Sequence, residues 1–180
     1  RVEAVREAIG PDLDLMIDAV NRLTPAEAIE VGRALEPYGL YFFEDPIEPE
    51  NMDAWEYVAA KLPMPIAMGE RLYTIYQFRD LLNHNGAAYL RPDLSLAGGI
   101  TNCKKIAALA EASYAGVIPH NPLSCVLTAA CVQLDAATHN IPVQEYPWDE
   151  YQKPKVDLVK EPLKREGGYL IVPDAPGLGI

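Results

Sequence analysis

The sequence contains little that would cross-link it or carry it into a membrane. Its cysteines among 180 residues, Cys103, Cys125 and Cys131, are odd in number and lack the CxxC spacing of a zinc site. We therefore expect buried thiols rather than a disulfide framework. No apolar run approaches the roughly 20 residues that span a bilayer, and the first residues show no signal-peptide pattern. These absences predict a cytoplasmic protein without a membrane partner.

Basic residues are also scarce. Fifteen Lys and Arg stand against 26 Asp and Glu, which gives a formal net charge of −11. Nucleic acids and anionic membranes select basic surfaces, so neither is expected as a partner. An acidic balance suits a cation-binding protein, although an ordinary solvated acidic surface accounts for it equally well. With 49% hydrophobic residues, the chain is long enough to bury one core.

Short apolar runs, each followed by an ionisable residue, alternate with helical patterns. In LYFFEDP, Leu40 to Pro46, residues typical of a strand buried on both faces lead directly into Glu44. Thr24, followed by Pro25 and Glu27, predicts a helix start with a capping box, and Thr101 is predicted to cap a later helix. The predicted strands are Leu13 to Ile17, Leu40 to Phe43, IAMGE, Ala88 to Leu90, Ala115 to Ile118 and IPVQE.

The ionisable residues at the strand ends recur every 23 to 27 residues: Asp18, Glu44, Glu70, Asp93, His120 and Glu145. Alternating strands and helices with this period form either a (β/α) barrel or a doubly wound sheet. A barrel gathers all strand ends on one face, so the convergence of six such groups favours the α/β barrel of the TIM type. Because a closed barrel needs about eight units and the chain starts inside a helical pattern without methionine, we expect two units to precede residue 1.

Two regions follow from this pattern. Residues 1–146 are predicted to hold the C-terminal barrel units, from the helix before strand 3 to strand 8. Residues 147–180 lose the periodicity, are rich in charge and proline, and are predicted to form a long loop and a terminal strand.

Asp18, Glu44 and Glu70 follow three consecutive strands, so their carboxylates can meet without being close in sequence. Three converging negative charges repel one another unless a cation lies between them. Ligation by oxygen alone selects a hard ion, and Mg²⁺ keeps open positions for water and substrate. The sequence therefore predicts a Mg²⁺ site, with three solvated loop acids as the alternative.

Asp93 and His120 follow the next two strands. A carboxylate beside an imidazole fixes its tautomer and raises its basicity, which makes His120 a candidate general base. A histidine that merely caps the segment after Pro119 is the alternative. Glu145 is a candidate general acid or hydrogen-bond donor, and Trp148 is either a packing residue or part of a pocket mouth.

Six motifs carry a resemblance that covers the chain from about Leu13 to its end: DAVNRLTPAEA, FFEDPIEPEN, PIAMGERLYT, RPDLSLAGGIT, VIPHNPLSCV and VQEYPW. They resemble the enolase superfamily, in particular its mandelate racemase-like branch and the acid-sugar dehydratases of the galactonate type. The resemblance implies that Asp18, Glu44 and Glu70 bind Mg²⁺. It also implies that Asp93 and His120 abstract the proton α to a carboxylate, and that Glu145 stabilises the resulting enediolate.

The resemblance further implies a sugar-acid substrate, a homo-oligomer and a role in sugar acid catabolism, with Arg71, Asn121 and Trp148 as substrate-binding residues. The family's N-terminal capping domain, toward which residues 147–180 would return, is absent from this sequence, and we expect the 180 residues alone to be inactive. Two positions depart from the family pattern. Val20 stands where galactonate-type dehydratases carry a histidine that protonates the leaving hydroxyl, and Leu123-Ser124-Cys125 replaces Leu-Gly-Pro. A racemase or epimerase, or a non-catalytic relative, therefore stays open beside the dehydratase.

Overall fold

A computed structural model describes residues 1–180. The chain divides into two compact units. The first unit comprises Arg1–Gly69 and Tyr76–Leu90, and the second comprises Glu70–Ile75 and Arg91–Ile180.

The first unit repeats a strand followed by a helix. Its elements are, in chain order, α1 (Val2–Ile9), β1 (Leu15–Asp18), α2 (Pro25–Leu35), a 3₁₀ turn (Glu36–Tyr38), β2 (Leu40–Glu44), α3 (Met52–Ala59), β3 (Ile66–Met68), α4 (Ile75–Asn83, whose first residue belongs to the second unit) and β4 (Tyr89–Leu90). β1, β2, β3 and β4 pair in chain order, and each pairing is parallel. The strands predicted in this region are therefore confirmed.

The predicted start of α2 is confirmed in detail. Thr24 Oγ1 accepts a hydrogen bond from the Glu27 amide at 3.3 Å, and the Thr24 amide donates to Glu27 Oε2 at 2.8 Å. This reciprocal pair satisfies two backbone donors at the helix start. The 3₁₀ turn that follows α2 ends at Gly39, whose φ of 58° lies in the left-handed region that favours glycine.

Large apolar side chains fill the first unit between the sheet and its helices. Phe42 and Phe43 of β2 are 2% and 1% exposed, and Trp55 of α3 and Phe78 of α4 are fully buried. Trp55 also donates its indole N–H to the Glu48 carbonyl at 2.9 Å, so burial leaves no unpaired donor on this ring. This core holds the C-terminal ends of β1 and β2 in a fixed register.

The second unit begins with residues 70–75 and continues with two long helices. Its further elements are α5 (Gly99–Ala112), β5 (Gly116–Val117), α6 (Cys125–Ala136), a 3₁₀ turn (Lys155–Leu158), β6 (Arg165–Glu166) and β7 (Tyr169–Leu170). β6 and β7 form an antiparallel hairpin around Gly167 and Gly168, where the sequence predicted one terminal strand. No helix in the chain combines the length and the apolarity needed to cross a membrane.

α5 and α6 form the core of the second unit. Ile106, Ala110 and Leu134 are fully buried, and Leu163, Leu170, Leu178 and Ile180 pack with Ala129 and Val132 of α6. All three cysteines are buried free thiols, as predicted. The packing explains why α6 is apolar almost all round.

Two local predictions were wrong. Thr101 does not cap α5, because the helix begins at Gly99 with Gly98 as its N-cap at φ 89°. IPVQE forms no strand: residues 141–147 lack regular secondary structure, and Pro142 has no N–H to donate to a ladder. The predicted boundary between residues 146 and 147 stays a prediction.

Asp135 of α6 gives the first testable prediction. Burial raises the pKa of Asp135 from 3.8 to about 7. The stability that this group contributes is therefore fully present below pH 3.8, where the carboxyl is protonated in both the folded and the unfolded chain. It is lost as the pH rises through about 7. We expect Asp135→Asn to raise the free energy of unfolding above pH 7 by at least about 1 kcal/mol, and to leave it nearly unchanged below 3.8.

Urea unfolding of the two proteins across this pH range checks the prediction, with Asp174→Asn in the exposed C-terminal segment as the control. A variant whose stability follows the wild-type pH profile would contradict it.

Candidate active site

Asp18 and Glu44 lie side by side at the ends of two paired strands. Asp18 closes β1 and Glu44 closes β2, and the parallel register makes the two residues direct partners. The Ala19 amide donates to the Glu44 carbonyl at 3.0 Å, which extends the pairing by one residue. Glu44 is 6% exposed, whereas Asp18 is exposed. Two predicted Mg²⁺ ligands are thus brought together within the first unit.

The chain after Asp18 is strained. Val20 and Asn21 both have positive φ, 51° and 57°, and for a β-branched residue this conformation is a genuine outlier. The turn is held by the Val20 amide, which donates to Asp18 Oδ1 at 2.7 Å, and by the Asn21 amide, which donates to the Asp45 carbonyl at 2.7 Å. Val20, with 42% exposure, therefore presents an apolar side chain beside a candidate ligand.

Asp45, which was not predicted from the sequence, lies beside Glu44 in the structure. It is 2% exposed, has a φ of 36°, and one of its carboxylate oxygens lies within 4.8 Å of one from Glu44. The adjacent acids in the EDP motif were the available signal, but the proline after Asp45 suggested an ordinary loop. Glu44 and Asp45 together provide oxygen donors of the kind that hard cations prefer.

In the second unit, His120 lies between two carboxylates. Its Nδ1 is 3.0 Å from Asp93 Oδ2 and its Nε2 is 3.2 Å from Glu70 Oε2. Asp93 and His120 form a parallel bridge, in which the His120 amide donates to the Pro92 carbonyl at 3.1 Å. The backbone therefore places the imidazole beside Asp93, and Glu70 contacts the other ring nitrogen.

The pKa values of these three groups follow from their contacts. Burial acts to lower the pKa of His120, but the hydrogen bonds to Asp93 and Glu70 outweigh it and raise the pKa to about 9. The bond from His120 lowers the pKa of Glu70, against the effect of burial. Burial acts to raise the pKa of Asp93, yet bonds from His120 and from the amide and hydroxyl of Ser95 lower it overall. The three residues form one coupled array.

Glu145 is held by a cation and a backbone amide. Arg91 Nη2 lies 2.5 Å from Glu145 Oε2, and the Asn121 amide donates to the same oxygen at 2.8 Å. Arg91 is 3% exposed and was also missed, although a basic residue directly after an apolar strand was a signal for it. Glu145 Oε2 therefore accepts both hydrogen bonds, whereas from the sequence Glu145 was a candidate hydrogen-bond donor.

The three predicted substrate-binding residues lie in different surroundings within the second unit. The side chain of Arg71 is 42% exposed, with Nε 3.7 Å from Glu70 Oε1, and Trp148 is 84% exposed. Asn121 is fully buried, where Nδ2 donates to Thr128 Oγ1 at 2.9 Å and to the Glu145 carbonyl at 3.0 Å. Substrate binding by these residues stays a prediction.

Parallel strand and helix units with ionisable side chains at the C-terminal ends of the strands define a domain of the (β/α) barrel class. Residues 1–180 match the family model described as "Enolase C-terminal domain-like". The chain belongs to this family, and the predicted fold class and resemblance are confirmed.

Individual relatives agree with this membership. The chain is 37% identical over 185 residues to D-galactonate dehydratase of Ralstonia nicotianae, an alignment that covers 100% of this chain and 48% of the relative. A mandelate racemase/muconate lactonizing enzyme from Jannaschia sp. CCS1 superposes with a TM-score of 0.91 at 39% identity, covering 99% of this chain and 45% of that one. An enolase from Agrobacterium radiobacter, solved with sodium and L-malate bound, gives a TM-score of 0.91 at 35% identity, with 99% and 49% covered.

The chain thus spans about half the length of the curated relatives that it matches. The activity and the substrate of the whole protein are accordingly proposals.

The strained turn at Val20 gives a second prediction. A left-handed conformation costs an L-residue roughly 1–2 kcal/mol, and asparagine tolerates it better than valine. We expect Val20→Asn to raise the free energy of unfolding by about 1 kcal/mol, measured by urea denaturation. Val5→Asn on α1, at a comparably exposed residue with helical backbone, is the matched control and should not stabilise the chain. Lower stability of the Val20 variant would contradict the strain at this residue.

Proposed function

We propose that the full-length protein is an acid-sugar dehydratase, which removes water from an aldonate to give a 2-keto-3-deoxy acid. The observation that carries the proposal is the histidine between two carboxylates, with Nδ1 on Asp93 and Nε2 on Glu70. The relative from Ralstonia nicotianae is named D-galactonate dehydratase and is 37% identical over the whole of this chain, which supports the substrate class.

His120 is the proposed base. With a pKa of about 9 and a carboxylate at each ring nitrogen, His120 carries both protons in this structure. When Glu70 holds a cation instead, Nε2 can lose its proton, and Asp93, which accepts the Nδ1 proton, directs the lone pair of the neutral ring to Nε2. Nε2 then takes the proton from the carbon α to the substrate carboxylate, and the electrons of the broken C–H bond form the enediolate. Asp93 keeps the ring oriented while its charge changes.

The same histidine completes the elimination. When the enediolate collapses, the C–O bond to the β-hydroxyl breaks, and the Nε2 proton passes to the departing oxygen to give water. The remaining enol tautomerises to the 2-keto-3-deoxy acid, so one substrate yields one product and one water. Val20 has no proton to give, which is why this second role is assigned to His120.

Asp18, Glu44 and Glu70 would hold Mg²⁺, and their surroundings fit a hard cation. In the first unit, paired strand ends bring Asp18 and Glu44 together, and the adjacent Glu44 and Asp45 are both buried with carboxylate oxygens near one another. Like charges this close together favour a bound cation. Glu70 presents its carboxylate in the second unit. Bound Mg²⁺ would supply positive charge to the substrate carboxylate as the second negative charge develops.

Glu145 is proposed to stabilise the enediolate. Because Arg91 and the Asn121 amide both bond Oε2, we assign Oε1 as the atom that faces the substrate. It would stabilise the enediolate by donating a hydrogen bond, a role that requires a proton on Oε1. A racemase or epimerase shares every step up to the enediolate and is the alternative, since Val20 offers no proton to the leaving hydroxyl of a dehydratase. The predicted homo-oligomer stays a prediction.

The metal site gives a third prediction. Calorimetric titration of the chain with Mg²⁺ should show one site, and Glu44→Gln should weaken its affinity at least about tenfold, because one anionic ligand is lost. Glu30→Gln, an exposed acid on α2, is the control and should leave the affinity unchanged. Equal affinity in wild type and Glu44→Gln would contradict the ligand assignment.

A fourth prediction tests the reaction. The full-length protein with Mg²⁺ is incubated with a panel of aldonic acids, and 2-keto-3-deoxy acids are measured by a colour test. We expect product from at least one acid, and His120→Asn should lower kcat by a factor of at least about 10² because no base remains. His139→Asn, whose side chain is 74% exposed, should match wild type.

Exchange of the substrate's α-proton with solvent distinguishes the dehydratase from the racemase or epimerase. Exchange of the α-proton in D₂O without any keto acid would contradict the dehydratase and support the racemase or epimerase. Wild-type turnover in His120→Asn would contradict the base assignment.

A further inference from the structure

Arg91 connects two segments of the second unit that carry proposed site residues. Its Nη1 donates to the Ile118 carbonyl at 2.9 Å, and its Nη2 bonds Glu145 Oε2 at 2.5 Å. One buried guanidinium thus contacts the main chain two residues before His120 and the side chain of Glu145.

The Glu145 side chain in turn bonds the main chain on the other side of His120, at Asn121. Its Oε2 accepts the Asn121 amide at 2.8 Å. The carbonyl of Ile118 and the amide of Asn121 flank His120 in sequence, and both are fixed by the ion pair. Displacing either partner therefore leaves the main chain around the imidazole with fewer supports, namely the bond from the His120 amide to the Pro92 carbonyl and the bond from Gln144 Nε2 to the Pro119 carbonyl.

Apart from the isolated bridge between Asp93 and His120, no helix or strand holds these two segments. β5 ends at Val117, and residues 141–147 around Glu145 form neither strand nor helix. Asn121 adds a second connection, since its Nδ2 bonds both Thr128 on α6 and the Glu145 carbonyl. The position of Glu145 therefore depends on side-chain bonds.

We propose that Arg91 is a positioning residue for the reaction: its bonds to Ile118 and Glu145 fix His120 opposite Asp93 and fix Glu145 opposite the substrate. The catalytic part rests on the proposed function, whereas the positioning part does not. A buried guanidinium is costly to desolvate, and replacing a buried ion pair as a whole by apolar residues often leaves stability unchanged or higher, whereas removing one partner alone destabilises. The ion pair is therefore better explained by the geometry it imposes than by stability.

The positioning is tested without substrate by hydrogen exchange in the 180-residue chain. In Arg91→Met we expect the amides of His120 and Asn121, which donate to the Pro92 carbonyl and Glu145, to exchange at least about tenfold faster. The amides within α5 should keep their wild-type rates. Lys155→Met, which removes the ion pair with Asp149 at 2.8 Å in the same unit, is the control and should leave the His120 amide unchanged.

Arg91→Lys keeps a positive charge but loses the planar fork that reaches two acceptors. We expect the exchange rates of the His120 and Asn121 amides in Arg91→Lys to lie between those of wild type and Arg91→Met. If Arg91→Met does not fold, the comparison of Arg91→Lys with wild type tests the positioning by itself. Wild-type exchange at His120 and Asn121 in Arg91→Lys, or faster exchange spread evenly over the second unit, would overturn the positioning.

Kinetics on the full-length protein test the catalytic part. We expect Arg91→Lys to lower kcat roughly 10²-fold with little change in KM, because the base is misplaced while the substrate still binds. Adding Glu145→Gln to Arg91→Lys should cost clearly less than the sum of the two separate losses, since the two side chains share one ion pair. Unchanged kcat, or strictly additive losses, would overturn the catalytic part. Absence of turnover in wild type would refute the proposed function instead and leave the exchange result standing.

Discussion

The imidazole of His120, bonded through both ring nitrogens to carboxylates, is the interaction on which the proposed chemistry depends. Asp93 holds Nδ1 at 3.0 Å and Glu70 holds Nε2 at 3.2 Å. A histidine that acts as a base needs one ring nitrogen held by a partner and the other available to take the substrate proton. Asp93, which is 1% exposed and is itself held by Ser95, supplies the fixed side. Glu70, a proposed ligand, occupies the side where the substrate would react.

Buried charges and strained backbone surround this arrangement, and burial alone would disfavour both. Arg91 and Asp93 are buried charged residues, and Glu44 and Asp45 are buried neighbouring acids. Val20, Asn21 and Asp45 hold left-handed backbone beside the end of β1 and β2. All of these lie at or directly after strand ends, while the apolar cores around Trp55 and Ile106 carry no such strain. Strained backbone of this kind is expected where geometry serves function.

Much of the fold followed from periodicity, and the reasons for the failures are physical. Apolar runs that end in an ionisable residue located β1 to β5, and the capping box of α2 was readable because its bonds are local. IPVQE had the composition of a strand but not the pairing, since Pro142 withholds a donor. The start of α5 depends on the left-handed backbone of Gly98, which composition does not fix. Arg91 was missed because its partner Glu145 is distant in sequence and is joined to it only by folding. Asp45 was missed because the proline after it is typical of an ordinary loop.

In the proposed mechanism, His120 Nε2 takes the α-proton of a sugar acid that is bound through its carboxylate to a cation on Asp18, Glu44 and Glu70. The most direct measurement is a crystal structure of the full-length protein with Mg²⁺ and a sugar acid that lacks the β-hydroxyl and so cannot be dehydrated. The proposal predicts the α-carbon beside Nε2, with the carboxylate on the ion. A ligand whose α-carbon lies away from His120, or an ion held by other residues, would contradict it.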